Sequence, residues 1–181
     1  MTDQQIKRLV IKFRKAIDAA QNDRRFDKDI FFKNFPSGCC GDTSDLLAEY
    51  LRKHGIITIW CSMQRGDYTH AWLVVKDDRV KTPTHETYAY PKEMSSVLAN
   101  YGVEHPEDEI DITRYKEDDL CDGLIIDITA DQFYDYDISV YVGYQDSFHL
   151  SFEFIQAHDF DGLKMERLRK LYSIIEQYKE A

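Results

Sequence analysis

Gly38-Cys39-Cys40-Gly41-Asp42-Thr43-Ser44-Asp45-Leu46-Leu47-Ala48-Glu49-Tyr50-Leu51-Arg52-Lys53-His54-Gly55 is the stretch on which the reading of this chain turns. Leu46, Leu47, Tyr50 and Leu51 recur at helical spacing. Small residues precede them, and Gly55 suits the left-handed position that commonly closes a helix. The run therefore predicts a helix with Cys40 at its start. A cysteine there meets unpaired backbone N–H groups and the positive end of the helix dipole, and both favour thiolate over thiol. Taken alone, a cysteine heading a helix is more often a small buried side chain with no chemistry.

Working outward, Thr69-His70-Ala71-Trp72-Leu73-Val74-Val75 reads as a buried strand with an imidazole at its mouth. Leu124-Ile125-Ile126-Asp127-Ile128-Thr129 places one carboxylate inside an apolar strand, where an unpaired charge is costly. Asp127 therefore needs a partner. An imidazole whose far nitrogen donates to that carboxylate has its tautomer fixed and its charged form stabilised. Each run also has a plain reading: a strand histidine is usually a satisfied core group, and a strand aspartate often caps the next loop. The chain order Cys, His, Asp joins the three into one possible nucleophilic site.

Together these runs resemble the transglutaminase-like branch of the papain-like cysteine enzymes. The family features a Gly-x-Cys that opens a helix ending at Gly-Ile, then a hairpin, a His-Ala-Trp strand and an Asp-Pro-Thr-like turn. Their counterparts here are Gly38-Cys39-Cys40, Gly55-Ile56, His70-Ala71-Trp72 and Asp127-Ile128-Thr129. The match covers about a third of the chain well and departs from the pattern in two places. Ile128 stands where proline is usual, and a long insertion at about 76–123 separates His70 from Asp127. The family spacing, counted back from Gly55, selects Cys40 over Cys39 as nucleophile.

The resemblance implies an α+β fold with a papain-like or transglutaminase-like core: a nucleophile helix on an antiparallel sheet, with added helices at both ends. It further implies a Cys40-His70-Asp127 triad that attacks a peptide or carboxamide carbonyl and passes through a thioester. Oxyanion donors would be the Cys40 backbone N–H and the side chain of Asn34, which equally suits a cap on the turn before Pro36. Trp72 would contribute a wall for the substrate. Transglutaminases carry a tryptophan just before the nucleophile; Phe31, Phe32 and Phe35 stand there in this chain, which favours hydrolysis over acyl transfer. The alternatives are a transglutaminase-type acyltransferase and a noncatalytic acidic interaction or immunity protein on a similar scaffold. The expected partner is a protein or peptide substrate, and no cofactor is expected.

Composition narrows the setting. With 181 residues and 43% hydrophobic content, the chain can bury a core as one domain. A net charge of -10 disfavours nonspecific nucleic-acid binding, which needs clustered Lys and Arg. The first residues lack a signal peptide's apolar region, and no stretch reaches membrane-spanning length, so a cytoplasmic location away from membranes is expected. Cys39, Cys40, Cys61 and Cys121 show no paired metal or redox spacing, so no metal site is expected and the thiols should stay reduced.

Elsewhere the pattern predicts scaffold. Thr2 with Gln5 has the form of a capping box before a helix over 3–21, whose apolar face is Ile6, Leu9, Val10, Phe13 and Ile17. Strands over 56–63 and 70–75 flank a Gln64-Arg65-Gly66-Asp67 turn, and the Arg-Gly-Asp string is read as that turn alone. Further strands are expected over 138–142 and 148–154, with a last helix over 163–178. A short helix over 91–101 is expected in the insertion, which is either a lid or a solvated excursion. His85, His105, His149 and His158 sit in no motif and are assigned no role.

Overall fold

The computed structural model describes residues 1–88 and 110–179; for His85–Tyr88 and Ile110–Arg114 it describes the backbone alone. The helix predicted over 91–101 and His105 lie outside the described residues. Helix α1 spans Asp3–Asn22 and starts as its capping box dictates: the Thr2 hydroxyl accepts the Gln5 N–H, and the Gln5 side chain accepts the Thr2 N–H. Its buried face carries Ile6, Val10, Phe13 and Ile17, and also a cation, Arg14. Helix α2 spans Cys40–Lys53. It ends in a Schellman motif, with Gly55 at φ 76°, the Ile56 N–H on Leu51 O and the Gly55 N–H on Arg52 O.

A five-stranded sheet forms the second layer, built from β1 (Thr58–Arg65), β2 (Tyr68–Val75), β5 (Ile125–Asp127), β6 (Tyr141–Gly143) and β7 (Glu153–Asp159). The spatial order is β6-β5-β2-β1-β7, and every neighbouring pair is antiparallel. Arg65 pairs with Tyr68, so the β1–β2 turn is the two residues Gly66-Asp67, with Gly66 at φ 59°. Strands β3 (Thr84–Tyr88) and β4 (Ile110–Arg114) form a separate antiparallel pair inside the 76–123 region, followed by the short helix α3 (Glu117–Leu120). Helix α4 (Glu166–Glu176) completes the fold.

The period-2 alternation of β2 divides the core in two. Leu73 and Val75 point to the helix side, where they join Phe13, Leu46, Tyr50, Leu51 and Leu171. Trp72 and Val74 point to the other side, among Met63, Ile125, Phe148 and Phe152. Burial of each such side chain contributes about 1.5–3 kcal/mol against conformational entropy. Arg14 stitches these parts together from within. It donates to Ile128 O at 2.6 Å and Ser139 O at 3.0 Å, pairs with both oxygens of Asp131 and with Asp18, and lies 4.6 Å over the Phe35 ring. A lone buried guanidinium would be costly; five oxygens remove that cost and fix the segment that follows β5.

The last third departs from the sequence expectation. Residues 148–154 begin not as a strand but as a 3-10 turn, His149–Ser151, and β7 starts at Glu153. Phe148 and His149 are adjacent yet pack against one another on the same side, 5.2 Å between ring centroids, which an alternating strand cannot arrange and a turn can. The Asp146 carboxylate caps that turn by accepting the His149 N–H at 3.0 Å. Pairing over 138–142 is confined to Tyr141–Gly143, and the final helix is shorter than 163–178 at both ends.

Candidate active site

Three elements converge at one end of the sheet. Cys40 is the first residue of α2, His70 lies near the start of β2, and Asp127 is the last residue of β5, which runs antiparallel beside β2. Ser44 ties α2 to β2 by donating its hydroxyl to Ala71 O at 3.2 Å. That bond sets the start of the helix against the strand that carries the imidazole.

His70 Nε2 donates to Asp127 Oδ2 at 2.6 Å, and both side chains are fully enclosed. The other carboxylate oxygen accepts the Thr129 N–H at 2.9 Å, so Asp127 both caps its loop and faces the imidazole. Burial would raise the Asp127 pKa, but the His70 charge, the nearby His149, the His70 hydrogen bond and the Thr129 N–H hold it well below the usual carboxylate range. Burial also pulls His70 down; the charge and hydrogen bond of Asp127, with a smaller contribution from Cys40, overcome this and raise it to about 9. Cys40 is half-buried. Burial pushes its thiol up, yet the hydrogen-bonding and charge of His70 and the backbone N–H groups of Ala71 and Gly41 bring it below the ordinary thiol value.

The neighbouring Cys39 is different. It is 3% exposed, its thiol donates to Pro36 O at 3.4 Å, and burial drives its pKa up to about 12 although the Thr43 hydroxyl donates to its sulfur. A hollow of about 240 Å3 lined by Phe31, Gly38, Cys39, Gly41, Asp42 and Arg167 opens beside the helix start. Arg167 there pairs with both Asp29 and Asp42, one cation between two carboxylates. Trp72 is 3% exposed and packs under the imidazole, 5.7 Å from His70 between ring centroids, so it braces that ring and does not line an open wall. Phe133, at 5.1 Å, and Phe152, at 5.6 Å, enclose the same ring.

Asn34 lies exposed in a 3-10 turn, Phe32–Asn34, and its backbone carbonyl accepts the Ser37 N–H; among the described residues its side chain makes no hydrogen bond. A different amide stands at the site. Gln132 Nε2 lies 3.2 Å from His70 Nδ1 and donates to Thr129 O at 3.0 Å, while its Oε1 accepts the Gly38 N–H at 3.3 Å. Those last two bonds fix which end of the amide is nitrogen. His149, assigned no role from sequence, also belongs here: its Nε2 is 3.6 Å from Asp127 Oδ2. His85 lies in β3 and His158 in β7, both outside this cluster. Among the described residues no group of three or more His, Cys, Asp or Glu is arranged to hold a metal ion, and no helix is long and apolar enough to cross a membrane.

A scan against protein-family models, a search of curated proteins and a search of solved structures each gave no match to this chain.

Proposed function

We propose that the protein is a cysteine-dependent hydrolase of papain-like or transglutaminase-like architecture, acting on a peptide or carboxamide bond through Cys40, His70 and Asp127. The observation that carries this reading is the buried 2.6 Å bond from His70 to the ionised Asp127 carboxylate, beside a Cys40 thiol whose pKa the same imidazole lowers. Perturbed titratable groups that also meet in hydrogen-bonding geometry are a signature of nucleophilic sites. In acylation, the Cys40 sulfur bonds to the carbonyl carbon, the C–N bond breaks, and His70 delivers its proton to the departing nitrogen. Water, giving a proton to His70, then attacks the thioester carbon, and the S–C bond breaks to release the acid.

The Cys40 backbone N–H is one oxyanion donor, and Gln132 supplies the second. One N–H of its amide is held by Thr129 O; the other points toward Nδ1, the imidazole atom that must serve the thiol, and while Nδ1 carries its proton that N–H is available to an oxyanion. Phe31, Phe32 and Phe35 stand before Cys40 where transglutaminases carry a tryptophan, which favours water as the second substrate. Four free thiols and the acidic surface fit a cytoplasmic protein that meets protein or peptide substrates.

The test is Cys40-dependent release of ammonia or new amino termini from a glutamine-rich protein pool, with a labelled primary amine present. Release without amine incorporation supports hydrolysis. Incorporation that dominates would assign the acyltransferase reading, and neither product together with an ordinary Cys40 titration would favour the noncatalytic one.

A further inference from the structure

His149 is a buried imidazole between two carboxylates, and the acyl chemistry above makes no use of it. Its Nδ1 donates to Asp146 Oδ1 at 2.6 Å, and the same oxygen accepts its backbone N–H. Asp146 is itself held, since its Oδ2 accepts the Tyr136 hydroxyl at 2.8 Å. The ring's other nitrogen has no hydrogen-bond partner and faces Asp127 Oδ2, the oxygen that His70 uses, at ion-pair distance. The remaining walls offer no competing charge: Tyr141 from β6 at 4.5 Å, Trp72 from β2 at 5.1 Å, Phe148 at 5.2 Å and Tyr136 at 6.0 Å between ring centroids. Among the described residues, Asp127 and Asp146 are thus the charged groups that face the ring.

We propose that His149, clamped by Asp146, is a positioning residue that shares the Asp127 carboxylate with His70 and tempers its pull on the proton held between His70 and Cys40. This rests on the hydrolase reading of the same site. With acceptor oxygens facing both nitrogens, a proton on each is the arrangement that suits both carboxylates. Positive charge behind Asp127 then weakens that carboxylate's hold on His70. Asp127 does not depend on His149 for its place, because Thr129 and His70 already fix both of its oxygens. Loss of His149 should therefore act through charge more than through geometry.

The test follows the imidazole of His70 by NMR in uniformly 15N-histidine-labelled protein, in the parent and in His149→Gln and Asp146→Asn. Asp146→Asn is the second variant: its amide oxygen still accepts the bonds from His149, while the Tyr136 hydroxyl loses its acceptor and the charge that favours a second proton on His149 is gone. In both variants the His70 imidazolium should persist to a pH higher by about half a unit or more, with near-UV circular dichroism unchanged. If His149→Gln does not fold, Asp146→Asn decides alone. A His70 titration that coincides with the parent's, or moves down, overturns the inference. The hydrolase reading has its own control in iodoacetamide: alkylation of Cys40 that is insensitive to His70→Asn sinks that reading, whatever His149 does.

Discussion

Cys39 and Cys40 are adjacent, share one helix start, and have opposite acidities. Cys39 turns into the core, where it finds a carbonyl and a hydroxyl but no positive charge near enough to offset burial, and its thiol is pushed up to about 12. Cys40 turns toward β2, where an imidazolium and two backbone N–H groups outweigh the same penalty. The helix dipole is common to both and so cannot be what separates them. What separates a thiol of lowered pKa from a packing thiol here is the direction of the side chain.

The largest expected effect comes from erasing one cysteine at a time. Cys40→Ala should abolish turnover and iodoacetamide labelling at mildly acidic pH, whereas Cys39→Ala should leave both nearly intact; peptide mapping that finds label on Cys39 in the parent would invert the comparison. Next is Asp127→Asn, which makes Cys40 more like its neighbour by taking the charge from behind His70. Turnover should fall by ~10⁴-fold, and thiolate absorbance should appear only at higher pH. In the parent, the Cys40–His70 ion pair should form below the ordinary thiol range. It should be lost as pH rises through about 9, because a raised imidazole keeps its proton below that value and sheds it above. A kcat/KM profile on any cleaved substrate reads both limbs.

Gln132→Ala should lower kcat by ~10²-fold with little change in the thiol titration, as expected for an oxyanion donor. Equal loss through KM alone would remove it from that role. The smallest effect is expected at Thr43, which is fully buried and donates to Cys39. Thr43→Val should push the Cys39 thiol still higher and cost about 1 kcal/mol in urea unfolding, with Cys40 labelling unchanged.

The legible parts of the molecule were those that local chemistry determines. Thr2 and Gln5 marked the start of α1, Gly55 the end of α2 and Gly66 the hairpin, because each meets a backbone need within a few residues. Asp127 was legible for an energetic reason, as a lone carboxylate in an apolar strand that had to have a partner. Gln132 and His149 were not, since their roles exist only once distant segments meet: Gln132 reaches back 94 residues to the Gly38 N–H and 62 to His70. Counting six residues back from Cys40 led to Asn34, whereas the amide beside the imidazole arrives from the far side of the site. The dense aromatics of 148–152 suggested a strand because packing several rings around one imidazole leaves no periodic trace in the sequence.

Arg14 gives the molecule an order of assembly. It sits in the first helix made, yet its partners at Ile128, Asp131 and Ser139 are 114, 117 and 125 residues further along. During synthesis Cys40 and His70 emerge long before Asp127, and for that interval the guanidinium has only Asp18, in its own helix, to pair with. Only when the chain has passed Ser139 can Arg14 close over the segment that carries Asp127 and Gln132. A nascent chain shorter than that carries Cys40 and His70 without the carboxylate and the amide that face the imidazole in the finished fold.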